Sequence, residues 1–229
     1  MATRRYELIM DNMLFRLGVF VPILLLSVTF HEVSHGYAAY LLGDPTAKNA
    51  GRLTLNPIAH LDPTGLIVMV ITSFLGFGIG WAKPVPVNPV YFRDPWKGMM
   101  ITGFAGPLAN ITIAFVFNLV IRLIIALGVT IPTGILNLLL AIVFLNLLLA
   151  AFNLVPIPPL DGSRIVAGIL PRKYRHQYYA LEPYGFIIII GLAYLRILWW
   201  FIAPIAYVLG HLLWIHPDIL QIFSSIWGG

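Results

Sequence analysis

Two histidines and a glutamate occur together at the end of an apolar run. Residues 20–29 read FVPILLLSVT, and residues 30–37 read FHEVSHGY. His31 and His35 are four residues apart, so on a helix both imidazoles lie on one face and reach one ion. Neutral imidazole suits Zn²⁺, and Glu32 can act as general base for a water held there. The H-E-x-x-H pattern therefore predicts a catalytic zinc site with His31 and His35 as ligands.

A third ligand is expected from a distant part of the chain. A catalytic zinc usually has three protein ligands, and no further His or Glu lies within the helical turns that follow H-E-x-x-H. The chain has no cysteine, which leaves His, Asp or Glu. Asp161 is the best candidate, because the three prolines of the preceding NLVPIPPL exclude a helix there. Non-helical backbone at membrane depth is tolerated only where it lines a cavity or is buried in protein. The alternative is that Asp161 is an ordinary helix N-cap.

The composition shows what kind of protein must position these groups. Hydrophobic residues make up 59% of the 229 residues and charged residues only 10%, against about 25% charged in soluble domains. The chain is therefore expected to be an integral membrane protein with the lipid bilayer as a partner. Its net charge of +5 is explained by Lys and Arg that flank the spans. No basic stripe interleaved with aromatic residues occurs, so no nucleic-acid partner is expected.

The apolar segments predict an all-α polytopic membrane protein with about five to six transmembrane helices. A short, glycine-rich segment at residues 65–81 either spans the membrane or re-enters it as an irregular element. The last apolar segment is too long for one span, and Pro204 and Gly210 are expected to divide it. The distribution of Lys and Arg fits both orientations. The expected hydrophobic helices are residues 14–42, 99–127, 134–152 and two within 184–215.

Several motifs together resemble one family. They are FHEVSHGYAAYLLGD, NPIAHLDPTG, GWAKPVPVNP, FAGPLAN and NLVPIPPLDG. In this order they resemble the site-2 protease family of intramembrane zinc metalloproteases, in its compact prokaryotic branch without a PDZ domain. The resemblance covers residues 30–164. It implies one catalytic zinc per chain with His31, His35 and Asp161 as ligands and Glu32 as the base. It also implies that Asn153 stabilises the oxyanion of the reaction.

The resemblance also bears on architecture. It implies that the helices bearing H-E-x-x-H and the aspartate run parallel, which favours a re-entrant segment between the first and third hydrophobic helices and an N-terminus outside. We expect one transmembrane protease domain over residues 1–229. Its core motifs lie in residues 30–164, and the C-terminal helices of residues 184–215 are accessory.

Two further features are candidates for substrate binding. Lys83, Val85, Val87 and Asn88 belong to a proline-rich segment that is extended and could pair with an unwound substrate strand, a general mode of peptide recognition. His60 is a candidate for contact with substrate, and the alternative is a structural hydrogen bond within a turn.

The resulting expectation is a multi-pass enzyme of the cell membrane. It would hydrolyse peptide bonds within or near the transmembrane segment of a single-span protein, at a site inside the membrane and open toward the cytoplasm. Two alternatives stay open: a transporter, since transporters also combine broken helices with ionisable groups, and a catalytically silent protein that binds membrane helices. Loss of activity in Glu32→Gln would separate the protease from both.

Overall fold

The computed structural model of the chain describes residues 13–74 and 80–215. These residues form helices and connecting turns, with no β-strand among them, which confirms the all-α prediction. Two short 3₁₀ turns lie at Pro57–His60 and Pro89–Tyr91. The helices are α1 (Met13–Leu41), α2 (Thr46–Asn49), α3 (Pro63–Phe74), α4 (Pro95–Ala126), α5 (Thr133–Asn153), α6 (Asp161–Ile169), α7 (Arg172–Tyr179), α8 (Glu182–Tyr194) and α9 (Leu198–Leu212).

Long apolar helices give the molecule its membrane character. By length and composition α4 and α5 can each cross a bilayer, and the bent pair of α8 and α9 counts as a third span if it is taken as one. Helix α1 is 29 residues long and carries H-E-x-x-H where the sequence predicts a helix. Two to three spans are thus supported among the described residues, and five to six stays a prediction.

The short glycine-rich element contains a helix that is too short to cross alone. Helix α3 has 12 residues, or about 18 Å at 1.5 Å per residue against a hydrocarbon core of about 30 Å. Residues 75–79 of this predicted element lie outside the described residues. From residue 80 the chain is non-helical until the turn at Pro89–Tyr91.

Helix α4 is the central element, and it begins four residues before the predicted start. Asp94 caps it by accepting hydrogen bonds from the backbone N–H groups of Trp96 and Lys97, and Pro95 takes the first helical position. The bond from Lys97 is the largest cause of a lowered pKa of Asp94. Small or amide-bearing residues recur every four positions on the buried face of α4, which lets α1, α5 and α6 approach closely. They are Gly98, Thr102, Gly106, Asn110, Ala114 and Asn118.

The last apolar segment is divided at a different place from the predicted one. Helices α8 and α9 meet at an angle of 86°, and Arg196 between them has a left-handed φ of 59°. Pro204 and Gly210 both lie inside α9, so the prediction that they form the break is wrong. Proline is tolerated within membrane helices when neighbouring elements satisfy the freed carbonyl. The break between α8 and α9 therefore lies at the left-handed Arg196 and not at Pro204.

The hydrophobic core lies between α4, α5, α8 and α9, with Ile121, Leu147, Ile189 and Ile202 almost fully buried. The outer faces are also apolar, as expected for helices in contact with lipid. On α4 the exposed side chains include Ile101, Phe104, Leu108, Phe115 and Leu119. The core therefore holds α5 in place, and the end of α5 leads directly into the proline-rich loop before Asp161.

Candidate metal centre and active site

Three side chains predicted as metal ligands converge on one point. The Nε2 atoms of His31 and His35 are 3.0 Å apart. Oδ2 of Asp161 lies 3.0 Å from the first and 3.1 Å from the second. All three residues are buried, with exposed fractions of 6%, 4% and 6%. Residues separated by 130 positions therefore present three donor atoms to one small volume.

Local structure explains how each of the three donors reaches this volume. His31 and His35 are one helical turn apart on α1, which places their rings on one face. Asp161 opens α6 after the proline-rich loop, and Gly162 beside it packs against the backbone of Leu154, where a Cβ has no room. The N-cap of α6 is Leu160, with no side-chain cap hydrogen bond. The carboxylate of Asp161 therefore faces the imidazoles and does not cap the helix.

The chemistry of this donor set fits a cation. Nδ1 of His35 donates to the backbone carbonyl of Thr102 at 2.7 Å, which leaves its Nε2 as an acceptor. Acceptor atoms that face one another at about 3 Å repel unless a cation lies between them. In tetrahedral zinc sites with bonds of about 2.0–2.1 Å, ligand atoms lie about 3.3 Å apart. The observed triangle is close to this spacing, so the three residues fit zinc.

Close approach of α4 to the imidazoles depends on a glycine. A Cβ added to Gly106 would lie 2.6 Å from Nε2 of His31 and closer still to Nε2 of His35. Any side chain at this position would occupy the space that the donor atoms face. The FAGPLAN motif, which contains this glycine, thus lines the candidate metal site.

Glu32 lies beside the donors, at the wall of a cavity. Its carboxylate, with the ring nitrogens of His31 and His35, forms a group of potential metal-binding atoms within 4.8 Å of one another. Its Oε2 accepts a hydrogen bond of 2.9 Å from the backbone N–H of Val85. The cavity has a volume of about 550 Å³ and is also lined by Asn153 and Asp161. A water or a peptide carbonyl has room next to both the base and the metal-binding atoms.

Asn153 lies in the same cavity, half-buried at the end of α5. Its Nδ2 donates to the backbone carbonyl of Leu149 at 3.0 Å. A side-chain amide carries two N–H donors, so this contact uses one of them. The location agrees with the predicted role in holding an oxyanion, and the role itself stays a prediction.

The predicted substrate-pairing segment is anchored within the protein. The N–H of Lys83 donates to the carbonyl of His60 at 2.9 Å, and its own carbonyl accepts from Arg52 at 2.8 Å. The N–H of Asn88 donates to Asp44 at 2.7 Å. Val85 lines the cavity, whereas Lys83, Val87 and Asn88 do not. The structure brings one of these four residues to the candidate active site, and pairing with substrate stays a prediction.

His60 lies apart from the donor cluster. It is buried, ends the first 3₁₀ turn, and its Nε2 is 2.9 Å from the carbonyl of Thr54, which is the turn hydrogen bond considered as the alternative. It lines a second, largely apolar cavity of about 350 Å³ between α1, α3, α5 and α9. Contact of His60 with substrate would require a ligand that enters this second cavity.

Sequence reasoning missed three contacts around the donors. Nδ1 of His31 lies 2.6 Å from Oδ1 of Asn110. Arg164 donates to Oδ1 of Asp161 at 3.4 Å. The third is the carbonyl of Thr102, described above. A signal for Asn110 exists in the sequence, because an amide in an apolar span must find a partner. The backbone carbonyl carries no such signal.

The sequence profile of peptidase family M50 matches residues 19–195, a range that contains Glu32 and all three converging donors. The chain belongs to peptidase family M50. The resemblance to site-2 proteases is thereby confirmed. Membership in this family and the metal-binding group of His31, Glu32 and His35 confirm the predictions of a metallopeptidase and of zinc as its cofactor.

Relatives of this M50 peptidase occur in bacteria and an archaeon. It is 40% identical over 209 residues to "Putative zinc metalloprotease YwhC" of Bacillus subtilis, covering 89% of this chain and 90% of that one. It is 30% identical to "Putative zinc metalloprotease Rip2" of Mycolicibacterium smegmatis, covering 76% and 67%. It is also 30% identical to "Zinc metalloprotease MJ0392" of Methanocaldococcus jannaschii, covering 72% and 38%. No solved structure matches the chain.

Proposed function

We propose that this M50 peptidase hydrolyses a peptide bond within or near the transmembrane segment of a single-span protein. The observation that carries the proposal is the convergence of His31, His35 and Asp161 at 3.0–3.1 Å among apolar helices. A charged and imidazole-rich cluster in such surroundings is costly unless it serves a site. The cavity beside it is large enough for an extended stretch of peptide.

His31, His35 and Asp161 would hold the metal, and Glu32 would act first as general base and then as general acid. A bound zinc supplies a Lewis acid that polarises the scissile carbonyl and acidifies the attacking water. Glu32 takes a proton from this water as its oxygen bonds to the carbonyl carbon. As the C–N bond breaks, Glu32 gives the proton to the departing amine, so the products are a carboxyl end and an amino end. Asn153 donates a hydrogen bond to the carbonyl oxygen while that oxygen carries extra charge.

The two cavities support a path for a membrane-embedded substrate. Val28, Trp81 and Phe152 line both the apolar cavity and the cavity with the donors, so the two adjoin. An apolar substrate segment held in the first would enter the second once it unwinds, which frees its scissile carbonyl from helical hydrogen bonds. The extended chain around Val85 would then pair with the unwound strand.

The architecture that accompanies this proposal is a single protease domain over residues 1–229 in the cell membrane, with five to six spans. Its catalytic motifs fall in residues 30–164, and residues 184–215 are accessory. The shortness of α3 supports a re-entrant element at residues 65–81. The basic residues Arg164, Arg172, Lys173 and Arg175 support a cytoplasmic location for the α6–α7 side and an active site open to it.

The decisive experiment uses the purified full-length protein in detergent with a single-span substrate and a soluble peptide that carries the same flanking sequence. Metal analysis is expected to give about one zinc per chain. Glu32→Gln should keep the zinc and lose cleavage, because the amide oxygen can still accept from Val85 but cannot take a proton. Asp161→Ala should lose zinc. The single-span substrate should be cleaved in preference to the soluble peptide.

Each arm of this experiment can contradict one part of the proposal. Cleavage that survives in Glu32→Gln would refute the assignment of the base. Zinc that is retained at full occupancy in Asp161→Ala would refute the ligand set. Equal cleavage of the soluble peptide would leave a metallopeptidase but remove the membrane-embedded substrate.

A further inference from the structure

A chain of buried amides links His31 to two other helices. Oδ1 of Asn110, on α4, lies 2.6 Å from Nδ1 of His31, on the side of the ring away from the metal-binding atoms. Nδ2 of Asn110 donates to Oδ1 of Asn146, on α5, at 2.9 Å and to the backbone carbonyl of Ser27 at 3.3 Å. Asn110 and Asn146 have no exposed surface. This set of contacts is called the amide relay below.

Backbone carbonyls determine which way each amide of the relay points. Nδ2 of Asn146 donates to the carbonyl of Ile142 at 2.9 Å and to the hydroxyl of Ser27 at 2.9 Å. A carbonyl can only accept, so Oδ1 of Asn146 must face Asn110. The same rule applies at Asn110, whose Nδ2 faces two oxygens. If its amide were reversed, Oδ1 would face both of these acceptors without a proton between them.

The orientation of Asn110 has a consequence for the imidazole. Since Oδ1 of Asn110 is an acceptor, Nδ1 of His31 must carry the proton and donate it. Nε2 of His31 then has its lone pair free and directed toward His35 and Asp161. A histidine can bind a metal through Nε2 only in this tautomer, and the partner of its other nitrogen sets the tautomer.

The two imidazoles are held by different kinds of partner. His35 donates to a backbone carbonyl, that of Thr102, which no substitution removes. His31 depends on a side chain, whose own orientation depends on a second side chain. Packing alone would not need this arrangement, because a leucine has the same branching and the same number of side-chain heavy atoms as an asparagine, without a buried polar group.

We infer that Asn110 and, acting through it, Asn146 are positioning residues that hold His31 in the tautomer competent to bind the metal. This inference rests on the proposed assignment of His31 as a zinc ligand. Loss of such a partner typically lowers metal affinity about 10- to 100-fold. Asn146 should have the smaller effect, because Asn110 keeps its contact with the carbonyl of Ser27 when Asn146 is replaced.

The test measures zinc affinity of the purified full-length protein in detergent by competition with a chromophoric chelator. Asn110→Leu is expected to lose about 10- to 100-fold in affinity. Asn110→Asp keeps an acceptor oxygen for Nδ1 of His31 and should lose less affinity than Asn110→Leu, although its second oxygen faces the oxygens of Asn146 and Ser27. Asn146→Leu should also lose less affinity than Asn110→Leu. If packing were the role of Asn110, the order would reverse, since leucine is the better buried residue and aspartate the worse.

Asn118 provides a matched control on the same helix. It has no exposed surface, and its Nδ2 donates to the carbonyls of Leu213 and Trp214 at 3.1 Å each. Asn118→Leu should lower thermal stability and leave zinc affinity unchanged. If Asn110→Leu does not fold, the smaller Asn110→Ala removes the same acceptor and carries the same expectation.

Two further outcomes separate the inference from the proposal on which it depends. If His31→Ala binds zinc as tightly as the wild type, the assignment of His31 as a ligand is wrong. If His31→Ala loses zinc while Asn110→Leu and Asn110→Ala retain wild-type affinity, the metal site stands and the amide relay is overturned. An affinity of Asn110→Asp below that of Asn110→Leu would overturn it as well.

Discussion

The backbone N–H of Val85 donates a hydrogen bond of 2.9 Å to the carboxylate of Glu32. The donor belongs to the extended segment that follows α3, and the acceptor lies one position after the first histidine of H-E-x-x-H. This bond fixes one oxygen of the proposed base, whose side chain lines the cavity. It also ties the segment proposed to pair with substrate directly to the proposed catalytic machinery.

Removal of this N–H should slow catalysis without loss of metal. In Val85→Pro the donor is absent, and the neighbouring prolines show that the backbone already accepts proline on either side. Without this hydrogen bond the carboxylate of Glu32 is less well oriented, and kcat should fall on the order of tenfold. This loss is smaller than the roughly 10²–10⁴-fold that a general base contributes. Val85→Ala keeps the N–H and serves as the control. Equal losses in both variants would indicate that the side chain, which packs near Gly36, matters instead.

Gly106→Ala should abolish zinc binding while the protein stays folded. The added methyl group would lie 2.6 Å from Nε2 of His31 and even closer to that of His35, inside the volume that the metal needs. Metal content and thermal unfolding, measured on one preparation, separate the two effects. Gly191→Ala on α8 is the control, since its Cβ meets nothing within 4 Å and should keep zinc. Full zinc occupancy in Gly106→Ala would contradict the proposed location of the metal.

Arg164→Gln should strengthen zinc binding modestly. Arg164 donates to Oδ1 of Asp161 at 3.4 Å, and its side chain is 28% exposed. The guanidinium pairs with Asp161 in the metal-free protein and repels a cation bound there, so its removal favours the metal. A partly exposed ion pair contributes about 0.2–1 kcal/mol, which corresponds to a gain of about 1.4- to fivefold in affinity. The difference from wild type should shrink at high salt, because screening weakens such interactions. Arg172→Gln on the exposed face of α7 controls for net charge, and an equal gain there would exclude a specific contact.

The bend between α8 and α9 predicts an unusual order of stabilities at Arg196. Its φ of 59° is left-handed, where β-branched residues are strongly disfavoured and glycine is not. Arg196→Val should therefore be less stable than Arg196→Gly, with a free energy of unfolding lower by about 1–2 kcal/mol. The same pair of substitutions at Ile187, an exposed residue in the middle of α8, should give the opposite order, since glycine weakens helix interiors. Thermal unfolding in one detergent measures all four variants.

Much of the candidate site follows from local rules that can be read along the chain. The spacing of His31 and His35 puts two imidazoles on one helical face in any helix, and the apolar run around them predicts that helix. The prolines before Asp161 predict an irregular segment, and the structure has no helix between residues 154 and 160. The prediction that Pro204 and Gly210 divide the last segment failed because a proline inside a helix does not necessarily break it, and Arg196, which carries no such signal, takes the left-handed conformation.

Composition and short-range periodicity therefore indicated the helical membrane character, His31 and His35 as candidate ligands, Glu32 as the candidate base and Asp161 as the candidate third ligand. Three buried asparagines in apolar helices, Asn110, Asn118 and Asn146, look alike in the sequence, and each must find a hydrogen-bond partner. Only the tertiary structure decided that Asn110 meets an imidazole, that Asn146 orients Asn110, and that Asn118 binds the end of α9. The physical reason is that a hydrogen bond depends on which helix faces it, and helix packing is set by contacts between residues far apart in the chain.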